Sequence, residues 1–125
     1  MSRRAVTQNA ADPRQVRNAE RLEKRREQRW EAALRAVMST PQGRAFVWML
    51  IRRAGIYESP FDPHGSIQSF KIGRADMGRE VMGEVLRLAG DEYLVMEAEA
   101  RTIDTIEARA VEAAHTAAAG NEAEE

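Results

Sequence analysis

The sequence predicts an all-α protein: a small bundle of about four helices, with a long charged helix at its N-terminal side and a long helix at its C-terminal side. Three observations predict it. Apolar residues recur at 3.6-residue spacing over long stretches, and no segment alternates in the manner of a strand. Asp12-Pro13 and Thr40-Pro41 each place a capping side chain directly before a proline, the signature of a helix start. Between Pro13 and Pro41 there is neither glycine nor proline to interrupt a helix.

The first helix therefore runs from Pro13 to about Met38. Its first half is rich in arginine and glutamate, with Val16, Ala19 and Leu22 its sparse apolar positions, and Glu20/Lys24 and Glu31/Arg35 are spaced for i,i+4 pairing. Its second half carries Trp30, Ala33, Leu34, Val37 and Met38 on one face, which requires a packing partner. The second helix, from Pro41 to about Ala54, holds the most apolar run of the chain, Ala45 to Ile51, and reads as the centre of the core; Gly55 stops it. Gly55 to Gly65 is a loop by its Pro60, Pro63 and Gly65, with Ile56, Tyr57 and Phe61 expected to tuck back onto the core.

Ser66 is placed to cap a third helix reaching about Ala89, with Ile67, Phe70, Met77, Val81, Val85 and Leu88 along one side. Gly73, Gly78 and Gly83 inside it each cost about 1 kcal/mol relative to alanine, so close approach of another backbone or a break near Gly73 is expected. Gly90 ends it, and Asp91 is placed to cap a fourth helix from Glu92 with Tyr93, Leu94, Met96, Ile103, Ile106 and Val111 as its apolar set. The organisation that follows is a disordered N-terminus (1–11), a charged helical arm (12–29), a helical core (30–98), a C-terminal helical extension (99–119) and a disordered acidic tail (120–125).

Composition narrows the function. Over 125 residues there is apolar patterning for one core only. There is no cysteine, which removes disulfides, thiolate metal sites and thiol nucleophiles. No apolar run approaches the roughly 20 residues needed to span a bilayer, and Met1-Ser2-Arg3-Arg4 leads into polar residues, so neither a membrane span nor export is expected. The net charge of −1 hides a gradient. Ten Arg and Lys against five Asp and Glu make residues 1–40 +5, seven against five make 41–90 +2, and two against ten make 91–125 −8. A basic front and an acidic tail suit two different partners, or each other head to tail.

Catalysis is not signalled. The carboxylates spread over helix faces instead of converging, and Asp62-Pro63-His64 is the one place where a carboxylate and an imidazole stand together, with no second histidine or cysteine at ligand spacing. No strand precedes Gly73, Gly78 and Gly83, and no Gly-Lys-Ser/Thr sequence accompanies them, so they do not form a phosphate loop. The chain is read as a non-enzyme with no metal, cofactor or small-molecule substrate. Arg14, Arg17, Arg21, Arg25 and Arg29 can present a ridge to a partner or to nucleic-acid phosphates. Glu20, Glu23, Glu27 and Glu31 interrupt it, and a solvated helix or a helix-to-helix contact is the commoner meaning of such a mixture. A helix-turn-helix is disfavoured by the roughly eleven-residue connection between the second and third helices. The aromatic set Trp30, Phe46, Trp48, Tyr57, Phe61 and Phe70 reads mainly as core, any surplus becoming a partner surface.

One stretch carries a family resemblance. Gly43-Arg44-Ala45-Phe46-Val47-Trp48-Met49-Leu50-Ile51, then Ala54-Gly55-Ile56-Tyr57, Ser59 and Phe61, and downstream Phe70, Gly73-Arg74 and Gly78, resemble the Bbp-nineteen-like family of small tailed-bacteriophage (podophage-type) proteins. The likeness covers about residues 35 to 97. The family pattern has a second arginine and an asparagine where this chain has Ala75 and Asp76, so no shared polar role is expected at those two positions. The resemblance implies a virion-associated or morphogenetic protein, present in the virion or in the host cytoplasm during assembly, whose partners are portal, head or ejection components or further copies of itself. It implies no active site. A DNA-binding or DNA-packaging accessory role for the basic helix is the alternative. Arg44 and Arg74 each stand beside a glycine on a core helix, and at least one is expected to hydrogen-bond the 56–66 loop.

Overall fold

Helix starts follow the caps read from the sequence. The Asp12 carboxylate accepts from the Arg14 backbone N–H at 2.9 Å, and α1 runs from Pro13 to Met38. Thr40 Oγ1 accepts from the Gly43 N–H at 3.0 Å, opening α2, Pro41–Arg53. α3 is Gly65–Leu88 and α4 is Gly90–Glu124. The computed structural model describes residues 12–124; the expectation for residues 1–11 lies outside them. Among the described residues the elements are these four helices, an all-α bundle as the sequence predicts.

The chain turns tightly twice and loosely once. Between α1 and α2 stand only Ser39 and Thr40, and a Cβ on Gly43 would overlap the Val37 carbonyl, so the first turn of α2 lies against the end of α1. Gly55, at φ +68°, ends α2 in the left-handed region that glycine adopts without strain. The Ala54–His64 connection then leads to α3 without a side-chain cap; Ser66, expected to supply one, lies inside the helix, which His64 precedes. Ala89 alone separates α3 from α4. Its N–H donates to the Val85 carbonyl at 2.8 Å and its carbonyl accepts from the Tyr93 N–H at 2.9 Å, so one buried alanine closes one helix and opens the next. Gly90 is thus the first residue of α4 rather than a stop, and Asp91 and Glu92 fall in its first turn, where the helix dipole favours them.

The core gathers one or two turns from each helix. Met38, Val47, Ile51, Val85, Ala89, Tyr93 and Met96 are buried together, with Leu34, Trp48, Ile56, Val81 and Met82 half-buried around them. α2 touches all three other helices, the central position its apolar run predicts. Burying side chains of this size contributes about 1.5–3 kcal/mol each, so this cluster dominates stability.

Several expectations are corrected. α3 is unbroken at Gly73, and a Cβ at Gly73 or Gly83 would meet nothing within 4 Å; close approach occurs at Gly78, where a Cβ would overlap that of Ala54. α4 continues through Gly120 to Glu124, past the expected end at residue 119. Most of the aromatic set lies outside the core: Trp30, Phe46, Tyr57, Phe61 and Phe70 are all exposed, and only Trp48 packs against the buried cluster. Of the three loop residues expected to tuck in, Ile56 alone does, beside Gly78.

Candidate interaction surfaces

The basic ridge lies on the part of α1 that is fully exposed. Every side chain from 13 to 30 is exposed. At 3.6 residues per turn Arg14, Arg17, Arg21, Arg25 and Arg29 fall within about 120° of the circumference, with Glu20, Glu23 and Glu27 on the opposite side. Among the described residues none of those five arginines forms an ion pair, while Arg26 lies 3.7 Å from Glu23. The expected Glu20/Lys24 and Glu31/Arg35 pairs do not form. Glu31 accepts instead from Arg87 at 3.2 Å, and Arg87 also donates to Glu84 at 2.6 Å. The two hydrogen bonds push the guanidinium further above its ordinary value, and the Arg87 bond holds the Glu84 carboxyl below the usual carboxylate range.

The motif arginines divide into a clamp and a wall. Arg44 donates through Nε to Glu99 Oε1 of α4 at 2.9 Å, with Nη2 2.8 Å from the same oxygen, and through Nη1 to the Met38 carbonyl at 3.0 Å. A carboxylate of α4 and an otherwise unpaired carbonyl at the end of α1 are thereby held by one side chain. Neither Arg44 nor Arg74 bonds to the 56–66 loop among the described residues, contrary to expectation; Arg79 does, donating to the Ile56 carbonyl at 3.4 Å. Arg44 is occupied elsewhere. Arg74 stacks over the Phe70 ring at 5.6 Å, and its buried Nε has no acceptor.

Between α2 and α3 lies an apolar groove of about 700 Å³. Leu50, Phe70, Met77 and Val81 line it, Gly73 leaves its floor open, and Arg53 and Arg74 flank it. No carboxylate lines this groove, and Arg53 has no ion pair among the described residues. Phe46 sits one turn before Leu50 on the same side of α2. The family-like residues thus split: Gly43, Arg44, Trp48, Gly55 and Gly78 build the fold, while Leu50, Phe70, Gly73 and Arg74 face the groove and Phe46, Tyr57 and Phe61 face solvent.

The C-terminal arm is the counterpart of the N-terminal one. From 101 to 123 every side chain of α4 is exposed. Arg52 reaches Asp104 at 3.4 Å near its base. A second depression, between α2 and the start of α4, is lined by Trp48, Tyr57, Tyr93 and Glu97; burial, with Glu97 and Tyr57 nearby, raises the Tyr93 hydroxyl above its ordinary value, and that hydroxyl donates to Met82 Sδ at 3.6 Å. Among the described residues Asp62 and His64 form no cluster with a third ligating side chain. Asp62 closes its own loop, accepting from the His64 N–H at 2.9 Å and pairing with Lys71 at 3.5 Å.

Sequence reasoning had Arg52 and Arg53 emerging at the end of the central helix but missed the place of Arg53 beside the groove and the alignment of Met77 with Leu50. The Arg52-Arg53 pair at the end of a strongly apolar helix was the available signal. No family model matches the chain, and no curated protein or solved structure matches it significantly. The resemblance stands on the motif residues of 35–97 alone.

Proposed function

We propose that the chain is a non-enzymatic accessory structural protein of a tailed-phage particle, acting through its helices on portal, head or ejection components or on further copies of itself. One observation carries the helix-mediated part. Two helical segments, 13–30 and 101–123, leave every side chain exposed and lie outside the buried core, whereas most helical stability in proteins comes from packing an amphipathic face. Such arms gain stability by being covered. The phage setting comes from the motif residues of α2 and α3, and it places the protein in the virion or in the host cytoplasm during assembly. Mass spectrometry of purified particles and assembly intermediates tests this: the chain is expected at a fixed copy number per particle, and consistent absence from both would sink the proposal.

A second reading is favoured by the arginine ridge. Five guanidiniums on one side of α1, none held in an ion pair among the described residues, suit a row of phosphates. DNA binding by the full chain would then weaken steeply with salt, the plot of log K against log salt falling with a slope of about −4 to −5 if all five engage. No affinity for a short duplex at low ionic strength removes this reading.

A further inference from the structure

We infer that the C-terminal arm of one copy docks in the α2–α3 groove of a second copy, so that the protein associates head to tail. The inference rests on the reading of the chain as a helix-mediated assembly component and names the partner of one arm.

The groove defines its ligand by chemistry. Leu50, Phe70 and Met77 are 42%, 65% and 60% exposed, a contiguous apolar surface of the kind that marks a docking site. Arg53 and Arg74 flank it, neither in an ion pair among the described residues although the Glu58 carboxylate and Arg74 both lie beside Gly55, and the Arg74 Nε is buried with no acceptor. The fitting occupant is an elongated apolar surface edged with carboxylates and slim enough to approach closely over Gly73.

The arm has those properties. Along α4 the side that buries Ala89, Tyr93, Met96 and Ala100 in the core continues into solvent as Ile103, Ile106, Ala110, Val111, Ala114 and Ala117, within an apolar sector about 140° wide. Its alanines permit close approach. Glu107 lies within that sector and Asp104, paired with Arg52, beside its edge, and two arginines against six carboxylates give residues 101–125 a charge of −4. The arm cannot reach the groove of its own chain, because α4 is one unbroken helix whose start is fixed in the core.

Other occupants fit less well. Two arms paired with each other would set like charges together and place Glu107, the one charge on the apolar sector, at the contact. Against Arg53 and Arg74 the same carboxylate is neutralised. The basic arm of α1 offers opposite charge but only Val16, Ala19 and Leu22 as apolar area. Groove and arm are different surfaces of one chain, so the contact is heterologous and either closes into a ring or propagates.

Sedimentation equilibrium of the full chain tests the inference, with two variants at exposed sites, Met77→Glu in the groove and Ile106→Glu on the arm, each checked for unchanged helicity. The wild type is expected to show concentration-dependent species beyond a dimer, and each variant alone to associate at least about tenfold more weakly, the loss expected from a charge set in a buried apolar contact. An equimolar mixture of the two variants should form a one-to-one complex and nothing larger, because each retains one competent surface. Three results overturn the inference: a wild type that stays monomeric to about 100 μM, near the weak end of specific association; self-association untouched by Met77→Glu; or a mixture that fails to associate. A monomer still found in particles would sink the docking and leave the virion role intact, whereas an associating chain absent from particles would do the reverse.

Discussion

Gly78 and Arg44 each do one structural job that no other residue type does as well. A Cβ on Gly78 would overlap that of Ala54 and stand 3.2 Å from the Ile56 side chain, so α3 reaches α2 only because that position is bare. Gly78→Val is expected to destabilise the fold by roughly 2 kcal/mol or more through overpacking, read from urea unfolding. Gly73→Ala and Gly83→Ala meet nothing within 4 Å and should instead stabilise by about 0.4–1 kcal/mol. Three equal responses would show that the α2–α3 approach is looser than described. Arg44→Lys keeps the charge but loses the simultaneous hold on Glu99 and the Met38 carbonyl, and a fall of about 1–2 kcal/mol is expected from such a partly buried pair. Both residues stood out in the sequence, one as a costly glycine within a helix, the other as an arginine beside a glycine on a core helix. Their partners were not legible, because Glu99 lies 55 positions downstream and nothing local ties it to Arg44.

At the scale of the helix, starts were written in the sequence and inward faces were not. Capping is a local contest between a side-chain oxygen and three or four unpaired N–H groups, so Asp12 and Thr40 announced α1 and α2. The α3–α4 corner hid because Ala89, with no capping side chain, is held by burial and backbone bonds to both neighbours. The inward face of α3 was legible only in part. Of the predicted side, Val85 is buried and Val81 and Leu88 half-buried, whereas Ile67, Phe70 and Met77 are exposed and the small residues Ala75 and Gly78, further round the helix, are buried instead. Small residues face α2 because the backbones approach there, and the displaced large ones become the wall of the groove. The caps themselves should behave unequally. Thr40→Ala sits between two core helices and is expected to cost about 1 kcal/mol in global unfolding. Asp12→Ala opens an arm outside the core, so helicity by circular dichroism should fall slightly while the unfolding midpoint stays in place.

Across the whole molecule the design is a small core with two long levers of opposite charge. α4 alone is 35 residues, about 52 Å at 1.5 Å per residue, and only its first three turns are buried in the core. Stability is therefore graded along each helix. Backbone amides around Val47, Ile51, Val85 and Met96 open only when the core does, while amides of 13–30 and 103–124 lie in helix that can fray without disturbing it. Hydrogen exchange on the dilute full chain should show slow exchange confined to the four core segments and fast exchange in both arms. Raising the protein concentration then separates what each arm does. If the acidic arm seats in a neighbour's groove, exchange slows in 103–117 and across Leu50 and the Phe70–Met77 stretch together, while the arginine arm of α1 keeps its fast exchange. Protection appearing in 13–30 with 103–117 would mean that the two arms bind each other through charge. In that case the groove would be left for a different partner, and high salt would restore fast exchange in both arms at once.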